Sequence, residues 1–476
     1  MGVMLLHGRR VRVMSPSLMV DWISARLHWL FLVIAGGFGL ALVFATPPNG
    51  SSDEISHEVK VVRVASGNLF GADRSTLLPD IKGWHGAFTD LAMLDGQRRF
   101  GKTELNATLN APLACTPVTL VANDTVTSYG PLPYLLPALI YRASCLVGAR
   151  YGSYLRAARI AGLSVALALI CVGIASAGPG RWGLFGVAVL PDTVGQLVAI
   201  SADAMLFGLC LALLGFVSGI LSRRIEPTPG LALLLLSGVA IALTKPGYFW
   251  FPWVALVTLP VYWEAGWSWR RLALLFLGLP VIVQAGLIGL SQGSLPVVTG
   301  VHPDEQLHLL RVDPLHFLSQ LTNLPAAAPI GTQWSVLDTL VGLPVWMDTR
   351  LPPWLSVALY GGLVLAMGME SNPRLSGRTR VFLAGLAGLS IVFIVLPLYV
   401  FATPTESRAI FGVQGRYFIP TLAVLVMAGC FAMPGRASTR AGTRTSTRTL
   451  GAVLLLALPC VALAQTRMLV HWRYFG

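Results

Sequence analysis

The sequence predicts an all-α polytopic membrane protein, on the evidence of its composition, the length of its apolar runs and the positions of its basic residues. Of its 476 residues, 55% are hydrophobic and 12% are charged, and the mean hydropathy is +0.69. Soluble domains carry about 25% charged residues, so this chain has about half of the charge that a soluble fold needs. Its 49 glycines and 31 prolines lie among long apolar runs, where membrane helices tolerate them.

Eleven apolar runs approach or reach the roughly 20 residues that a helix needs to cross a bilayer. They are 27–45, 131–148, 155–177, 202–221, 230–244, 248–263, 271–290, 354–369, 381–402, 417–433 and 449–466. No small-x-small cleavage site directly follows the first run, which favours an anchor over a signal peptide. A further stretch, 182–200, is broken at Pro191 and Asp192. We therefore predict about 11 transmembrane helices plus a broken or re-entrant segment.

The basic residues between the runs predict the orientation of the chain. They are Arg9, Arg10, Arg12, Arg150, Arg156, Arg159, Arg223, Arg224, Arg270, Arg271, Arg374, Arg378, Arg380, Arg436, Arg440, Arg444 and Arg448. The positive-inside rule makes all of them, and the N-terminus, cytoplasmic. The number of crossings agrees with this orientation only if 182–200 enters and leaves on one side, or lies as two short half-helices. The net charge of +13 then reflects topology rather than nucleic-acid binding.

The predicted division of the chain has three parts. They are a cytoplasmic N-terminus over 1–26, a transmembrane module over 27–433, and a basic cytoplasmic loop with the last helix over 434–476. Within the module, the segments 47–130 and 291–353 face outward. Loops longer than about 15 residues are uncommon unless they are functional or disordered, and the Trp, Leu and Pro content of these two disfavours disorder. We expect the chemistry on the outer face.

Several classes of site are missing from the sequence. Of six cysteines, only Cys115 lies in an outer loop, so no disulfide framework is expected. No Cys/His group has the spacing of zinc ligands. There is no Walker-type phosphate loop and no dinucleotide fingerprint, and no Asp-x-Asp element. These absences argue against an ATP-driven pump and against a cytoplasmic nucleotide sugar as a donor.

The densest group of ionisable residues follows the first apolar run. Apolar residues recur there at helical spacing and predict an amphipathic helix over 53–66 on the outer surface; they are Ile55, Val59 and Val62. Asp53 and His57 are four residues apart and share one face, while Glu54 and Glu58 share the next. A carboxylate at this position can deprotonate a hydroxyl group or hold a divalent cation.

A structural interpretation of the same residues stays open. Ser51 and Glu54 fit a capping box, and acids in a first helical turn interact favourably with the helix dipole. In the second outer loop, Asp304 and Glu305 form a rival acidic cluster with no metal-ligand repeat, which favours a solvated turn. The apolar residues around Phe317 predict a surface helix over the site.

Other polar residues lie at the outer ends of apolar runs. Lys245 can neutralise a lipid phosphate, or its side chain can simply reach the membrane interface. Arg416 and Tyr417 suit phosphate binding, although an Arg-Tyr pair is also an ordinary interfacial anchor. Asp203 is either a functional carboxylate or a helix cap. Tyr129 is either functional or an interfacial aromatic residue.

Five short motifs occur in an order that resembles a known family. They are Asp53-Glu54-x-x-His57, Tyr129-Gly130-Pro131-Leu132-Pro133-Tyr134, Ser201-Ala202-Asp203-Ala204, Leu243-Thr244-Lys245-Pro246-Gly247-Tyr248 and Gln414-Gly415-Arg416-Tyr417-Phe418-Ile419-Pro420. Together they resemble the bacterial membrane family named domain of unknown function 2142, over about residues 30 to 433. The chain departs from that family at Ser52, where Pro is frequent, and at Ile55-Ser56, where Pro-Ala is usual.

That family resembles the GT-C class of membrane glycosyltransferases. The resemblance implies transfer of a sugar from a polyprenyl-phosphate donor to a glycan, lipid or protein acceptor, on the extracytoplasmic face of the bacterial inner membrane. Its implied site has catalytic Asp53 and Glu54, which are also the candidate ligands of a divalent cation (Mg²⁺ or Mn²⁺). The same site has Lys245, Arg416 and Tyr417 at the donor phosphate, and His57, Tyr129, Asp203 and Gln414 around the substrate. Because fold does not fix function, two alternatives remain: a transporter or flippase, and an accessory protein that binds a lipid-linked glycan.

Overall fold

The structure, a computed structural model, describes residues 3–6, 9–12, 16–51, 53–70, 77–78, 99, 101–116, 119–120, 126, 128–291, 300–324, 335–342, 350–369, 376–407, 409–431 and 441–476. Its α-helices are α1 (Pro16–Ala45), α2 (Glu54–Ala65), α3 (Lys102–Asn110), α4 (Leu135–Leu146), α5 (Tyr151–Ser176), α6 (Arg181–Ala188), α7 (Pro191–Leu197), α8 (Ala202–Leu221), α9 (Pro227–Ala242), α10 (Leu259–Glu264), α11 (Trp269–Leu290), α12 (Pro303–Val312), α13 (Pro314–Thr322), α14 (Val336–Gly342), α15 (Pro353–Gly368), α16 (Gly377–Ala402), α17 (Ile419–Cys430) and α18 (Ala441–Phe475). Three 3₁₀ helices cover Leu132–Tyr134, Phe251–Thr258 and Gly415–Phe418. Two small antiparallel pairs join β1 (Val3–Leu6) to β2 (Arg9–Arg12) and β3 (Leu77–Leu78) to β4 (Thr119–Leu120).

Six helices in the described part are long and apolar enough to cross a membrane. They are Leu18–Ala45, Tyr151–Ser176, Ala202–Leu221, Trp269–Leu290, Gly377–Ala402 and Arg448–Phe475. Shorter apolar helices cover Leu132–Leu146, Pro227–Ala242, Pro353–Gly368 and Gly415–Cys430. The helical membrane class is confirmed, while the count of eleven transmembrane helices stays a prediction. The predicted basic residues Arg374, Arg436 and Arg440 lie outside the described residues.

The helix bundle has two ends that side-chain contacts define. Near the start of α1, the carbonyl of Ser24 accepts a hydrogen bond from Arg181 (3.1 Å). Just past the end of α1, the carbonyls of Thr46 and Pro47 accept hydrogen bonds from Arg159 (2.7 and 2.9 Å). At 1.5 Å per residue the two levels lie roughly 33 Å apart. We name them the Arg181 end and the Asp53 end, since Asp53 follows Pro47 closely in the chain.

Helix α8 is the most buried of the candidate spans. It packs on α5 through small residues: a Cβ atom built on Gly215 would lie 2.1 Å from the carbonyl oxygen of Gly173. Such close backbone approach is how membrane helices gain van der Waals contact without a hydrophobic driving force. The result is a rigid central helix whose first turn presents Asp203 at the Asp53 end.

Contrary to the prediction, the run 131–148 does not connect the two ends of the bundle. Tyr134, which precedes α4, contacts His57 on α2. Tyr151, five residues after α4 ends, donates to Glu58 on α2 (3.2 Å). Both ends of α4 therefore lie at the Asp53 end.

Arg150, Arg156 and Arg159 consequently lie at the Asp53 end as well, and not on the opposite side as predicted. Leu132–Leu146 spans about 22 Å at 1.5 Å per residue, which is short for a hydrocarbon core of about 30 Å. Arg159 is fully buried beside Glu54. Its position is therefore set by a carboxylate, which a rule based on charge counts in loops does not take into account.

The broken stretch 182–200 connects the two ends of the bundle, which the run 131–148 does not. Helix α6 begins at Arg181 at one end of the bundle, and α7 ends beside the Asp53 end, where the backbone N–H of Ile200 donates to Glu54 (3.2 Å). Of the two predicted alternatives, the structure has the pair of short half-helices. They connect the two ends, and Pro191 begins the second half-helix.

The expectation of no disulfide is wrong. Cys115 and Cys145 form a disulfide that closes a segment of 30 residues. Cys145 lies on α4, which the sequence analysis had placed inside a span. Since α4 instead lies at the Asp53 end, its cysteine can meet one from the first outer loop. The bond ties α4 to the segment after α3.

Helix α2 forms as predicted, but it is not a surface helix. Its polar residues are buried together with its apolar ones; they include Glu54, His57, Glu58, Lys60 and Arg63. Its apolar neighbours include Tyr141 and Tyr154, which pack edge to face with their ring centroids 5.6 Å apart. A buried helix of this composition must satisfy its charges internally, and this requirement organises the site described below.

The segment predicted as the second outer loop contains helices α12 and α13, and Phe317 lies on α13. The predicted position of this helix over the site stays a prediction. Gln306 donates to the carbonyl of Thr403 (2.6 Å), and Phe317 packs edge to face on Tyr399 with ring centroids 5.0 Å apart. Asp304 is exposed in the first turn of α12, consistent with a solvated turn. The loop is thus anchored to the end of α16.

The placement of α4 can be tested with single cysteines and a membrane-impermeant maleimide. We expect Val147→Cys to react from the same side as Leu69→Cys, because both exposed positions lie at the Asp53 end. We expect Trp267→Cys to react from the other side, because it follows Glu264, the partner of Arg223 beyond α8. If Val147→Cys and Trp267→Cys react from one side, α4 crosses the bundle and our placement is wrong.

Candidate functional site

Asp53 occupies the turn between α1 and α2 and has a left-handed backbone, with φ of 64°. Asp is among the residues that tolerate this conformation. Its side chain makes no capping hydrogen bond to α2. The predicted capping box of Ser51 and Glu54 does not form. The helix begins after Asp53, and the N–H of Glu54 donates to the backbone carbonyl of Ser51 (3.3 Å). The Asp53 carboxylate instead pairs with Arg416 and remains 37% exposed.

Arg416 contacts three polar groups from separate elements. Its Nη2 donates to Asp53, its Nη1 donates to Oε1 of Gln196 (3.2 Å), and its Nε lies 3.6 Å from Oδ2 of Asp203. Its ring neighbour is Tyr417, with the guanidinium carbon 5.4 Å from the ring centroid. Only 5% of the Arg416 side chain is exposed. The arginine is thus fixed between the turn before α2, helix α7 and helix α8.

Lys245 forms a charged cluster with Asp53, Asp203 and Arg416. Its Nζ donates to Oδ1 of Asp203 (2.7 Å), and both side chains are buried. The same nitrogen lies 4.5 Å from the ring centroid of Tyr417 and 5.4 Å from that of Tyr129. Aromatic faces attract cations at these distances. Asp203 therefore acts as an ion-pair partner and not as the predicted alternative, a helix cap.

His57 lies on the other side of Tyr129. Its Nδ1 is 2.7 Å from the hydroxyl oxygen of Tyr134, and its ring centroid is 5.9 Å from that of Tyr129. Burial lowers the pKa of His57 to about 4; Lys245 and Arg416 also lower this pKa, and the nearby carboxylates of Asp203 and Asp53 oppose the shift. The imidazole is therefore neutral at physiological pH.

Glu54 faces a different partner from Asp53, although the two are consecutive. Arg159 donates to both of its carboxylate oxygens, at 2.8 and 2.5 Å, and the N–H of Ile200 donates to the first (3.2 Å). Both side chains are almost completely buried. A bidentate, buried pair of this kind leaves no lone pair directed at solvent. The two candidate bases thus differ sharply in their access to a substrate.

Two glycines of the sequence motifs allow close backbone contacts, Gly130 with a second motif segment and Gly415 with α14. A Cβ atom on Gly130 would lie 1.7 Å from the carbonyl oxygen of Leu243, and one on Gly415 would lie 2.3 Å from the backbone nitrogen of Leu340. Close backbone approach is a recognised reason for glycine. Gly130 thereby brings Tyr129 against Lys245, two residues beyond Leu243.

Seven of the nine predicted site residues form one group by these contacts. They are Asp53, His57, Tyr129, Asp203, Lys245, Arg416 and Tyr417. Glu54 faces Arg159 instead. Gln414 is buried, and its backbone carbonyl accepts a hydrogen bond from the N–H of Tyr417 (3.1 Å), whereas its side-chain oxygen has no partner among the described residues.

The charges of the group balance, with two carboxylates and two cations. Within the described residues, no set of three or more His, Cys, Asp or Glu side chains is placed to hold a metal ion. A role for Asp53 or Glu54 toward a divalent cation stays a prediction. Three buried oxygens here lack a hydrogen-bond partner among the described residues: Oδ2 of Asp203, Oγ of Ser201 and Oε1 of Gln414. Each is an acceptor, as hydroxyl groups of a ligand require.

Sequence reasoning missed three residues of this region. Tyr134 lies in one of the five motifs but is not among the predicted site residues. Arg159 was assigned to topology alone. Gln196 had a signal, because Asp192 and Gln196 are polar residues at i and i+4 in an otherwise apolar stretch; Gln196 indeed donates to Asp192 (3.2 Å).

The order of these motifs can now be compared with known families. A family model described as "Predicted membrane protein (DUF2142)" matches residues 37–426. The chain belongs to this family. The match covers α1 from residue 37 onward and extends into α17, so it includes every residue of the charged cluster.

Other comparisons add less about this DUF2142 protein. Comparison with curated proteins gives no match. The crystal structure of the Archaeoglobus fulgidus oligosaccharyltransferase in the apo form is similar over 96% of this chain, with 13% sequence identity and a TM-score of 0.39. This chain spans 57% of that protein. A TM-score this low does not define a fold, so the architecture of the DUF2142 chain rests on its own contacts.

The structural setting of Glu54 gives a stability prediction for the DUF2142 protein. We expect Glu54→Gln to lower the free energy of unfolding by about 3 kcal/mol, because it leaves the buried Arg159 guanidinium without its carboxylate. Thermal unfolding in detergent measures the loss. The double variant Glu54→Gln/Arg159→Gln removes both charges and is expected to recover part of it. Full stability of Glu54→Gln would contradict the assignment.

The neutral His57 gives a pH prediction. Its pKa is about 4 in the folded protein against 6.5 when it is unperturbed. The unfolded chain therefore binds more protons between these values, and stability falls as the pH falls. Between pH 7 and pH 5 the loss is about 2 kcal/mol. We expect His57→Gln to lose less stability over this interval, while His308→Gln, at an exposed position on α12, keeps the dependence of the wild type. An unchanged dependence in His57→Gln would refute the origin proposed here.

Proposed function

We propose that this membrane protein is a glycosyltransferase that uses a polyprenyl-phosphate-linked sugar. The observation that carries the proposal is a partly exposed carboxylate, Asp53, held by Arg416 beside a buried ion pair and two tyrosines. Both the reacting hydroxyl and the departing phosphate of such a transfer need groups of these kinds within reach of each other. The finer assignments that follow are parts of the same proposal.

Asp53 is the proposed general base. Its carboxylate is exposed to 37%, so an acceptor hydroxyl has access to it. Glu54 is buried in its pair with Arg159 and is proposed to hold α2 in place. Asp53 accepts the hydroxyl proton while the acceptor oxygen attacks the anomeric carbon. The bond from that carbon to the phosphate oxygen breaks, and polyprenyl phosphate leaves. A single displacement of this kind inverts the anomeric centre.

Lys245 and Arg416 are the proposed partners of the donor phosphate. In the resting protein their charges are balanced by Asp203 and Asp53. When Asp53 takes the proton, Arg416 loses one of its two neutralising carboxylates. At the same moment the phosphate gains negative charge, because it leaves as a monoester. The cation thus becomes available when the leaving group needs it, which is electrostatic stabilisation specific to the transition state.

Hydrogen-bond acceptors without partners suit a sugar. The side-chain oxygens of Ser201 and Gln414, and Oδ2 of Asp203, are buried and accept no hydrogen bond within the described residues. Oδ2 of Asp203 is ion-paired with Nε of Arg416 at 3.6 Å. Buried acceptors of this kind cost free energy unless a donor reaches them. Hydroxyl groups of the donor sugar are the proposed donors. This proposal gives Gln414 and Asp203 a role in substrate binding, with Tyr129 and His57 lining the same region.

The extracytoplasmic side is the proposed location of the reaction. The Cys115–Cys145 disulfide lies at the Asp53 end, and disulfides persist in oxidising compartments and are rare in the cytosol. The Arg181 end carries exposed arginines after α8 and near the start of α18, namely Arg223, Arg224 and Arg448, and the positive-inside rule favours these on the cytoplasmic side. Arg150, Arg156 and Arg159 lie at the Asp53 end and do not follow that rule, so the disulfide carries the assignment. It supports an orientation with the N-terminus in the cytoplasm of a bacterial inner membrane.

The test is sugar transfer in proteoliposomes from a panel of polyprenyl-phosphate hexoses and pentoses. We expect Asp53→Asn to lose about 10²-fold or more of the transfer rate, the lower range for removal of a general base. Asp53→Glu keeps a carboxylate and is expected to lose less. Asp304→Asn, which removes an exposed carboxylate on α12, is the matched control and is expected to transfer like the wild type.

The alternatives predict different results in the same vesicles. Transfer that Asp53→Asn leaves unchanged would refute the proposed base. Movement of the lipid-linked sugar across the bilayer, without any transfer, would instead support a transporter. Melting curves of each variant show whether a loss of rate reflects unfolding. The Asp53→Asn protein is expected to unfold within a few degrees of the wild type, since Asp53 is partly exposed and does not cap α2.

A further inference from the structure

A cavity lies at the Arg181 end of the bundle, far from Asp53. It has a volume of about 250 Å³ and opens between α1, α6 and α18. A water molecule takes about 30 Å³ in the liquid, so the cavity has room for a group the size of a phosphate with its oxygen substituents. Val20, Trp182 and Met369 are buried residues of its wall, which gives it an apolar floor.

Three arginines line this cavity against one carboxylate, Asp21. Arg181 is 8% exposed and forms an inner wall. Arg224 and Arg448 are exposed and form the rim. They come from three separate elements: the start of α6, the turn after α8 and the first turns of α18. The described lining therefore carries a net charge of +2, by three positive charges less one negative charge.

Helix capping explains part of this arrangement. Arg224 donates through Nη1 to the carbonyl of Ala177, after α5 (2.7 Å), and Arg448 donates through Nη2 to that of Met369, after α15 (2.8 Å). Basic residues often satisfy the last carbonyls of a helix in this way. Each of these bonds uses one of the five N–H donors of a guanidinium. Capping therefore orients the two rim arginines without using up their capacity to bind an anion.

The surroundings indicate which anion reaches this cavity. The cavity lies where the candidate spans Leu18–Ala45 and Arg448–Phe475 begin and where Tyr151–Ser176 and Ala202–Leu221 end. Because the ends of membrane-spanning helices lie near the head groups of a bilayer, we expect the cavity at that depth. Trp22, on the adjacent turn of α1, is 49% exposed, and tryptophan is enriched at this level of membrane proteins.

We propose that this cavity binds the phosphate of an anionic phospholipid from the adjacent leaflet. Guanidinium groups match phosphate oxygens through paired N–H donors, and basic pockets between transmembrane helices are a known mode of head-group binding. Arg181 donates to the carbonyls of Ser24, Ala175 and Ala177 and so supplies a fixed positive charge from within. Arg224 and Arg448 donate to the phosphate from the rim, and the acyl chains remain in the bilayer. The site is separate from the proposed transfer chemistry and does not depend on it.

Native mass spectrometry of the full chain with phosphatidylglycerol or phosphatidylcholine tests the site. We expect the wild type to retain phosphatidylglycerol and Arg224→Gln/Arg448→Gln to bind it at least 10-fold more weakly. Arg270→Gln/Arg271→Gln removes the same charge at the start of α11, outside the cavity, and is expected to bind within 2-fold of the wild type. Arg224→Lys/Arg448→Lys keeps the charge and is expected to bind more tightly than the glutamine pair.

Three results would overturn the proposal. One is equal loss of binding in the two glutamine pairs, which would show a general field of positive charge. Another is unchanged binding in Arg224→Gln/Arg448→Gln. The third is displacement of the lipid by millimolar inorganic phosphate, since a free phosphate would then be the ligand. Thermal unfolding without added lipid shows that each variant is folded before binding is compared.

Discussion

The guanidinium of Arg159 is the contact on which the arrangement of the Asp53 end depends. It donates to the carbonyls of Thr46 and Pro47, where α1 ends, and to both oxygens of Glu54, where α2 begins. Glu54 in turn accepts the N–H of Ile200, next to the start of α8. A buried charge is tolerated only when it is paired and hydrogen-bonded. This single requirement joins α1, α2, α5 and the segment before α8, and it fixes the turn that carries Asp53.

Consecutive acids therefore have separate tasks. Glu54 faces inward and satisfies Arg159, whereas Asp53, turned by its left-handed backbone, faces Arg416 and remains partly exposed. The two ion pairs belong to consecutive residues, so the buried pair of Glu54 limits where the carboxylate of Asp53, the proposed base, can lie. A residue with a purely structural partner thus positions one with a chemical role in the proposed mechanism. The charged cluster is neutral for a similar reason, because each of its two cations is paired with a carboxylate.

Much of this could be predicted from residue types and order. In a chain with few charges, Asp203, Lys245 and Arg416 at the ends of apolar runs are expected to meet, because each alone is costly in or near a membrane. The family was identified from the same motifs. The side on which Arg159 lies could not be predicted, because the positive-inside rule considers loop charge and not a buried partner 105 residues away. Cys145 was misassigned for a different reason: the length of the apolar run 131–148 does not reveal whether that run crosses the membrane. The contact of Gln196 with Arg416 could not be predicted, because the sequence does not show that α7 approaches Arg416.

The long separation between Asp53 and its arginine has a consequence for the timing of assembly. Glu54 and Arg159 are 105 residues apart, but Asp53 and Arg416 are 363 residues apart. At about 5–20 residues per second, ribosomes need about 20 to 70 s to synthesise the intervening chain. The contacts of Arg159 can form early during insertion, whereas Asp53 can pair with Arg416 only after most helices have been synthesised. A nascent chain truncated before Arg416 would thus contain the completed contacts of Arg159 and the Asp203–Lys245 pair, but not the arginine that pairs with Asp53, and the site would be among the last features to mature.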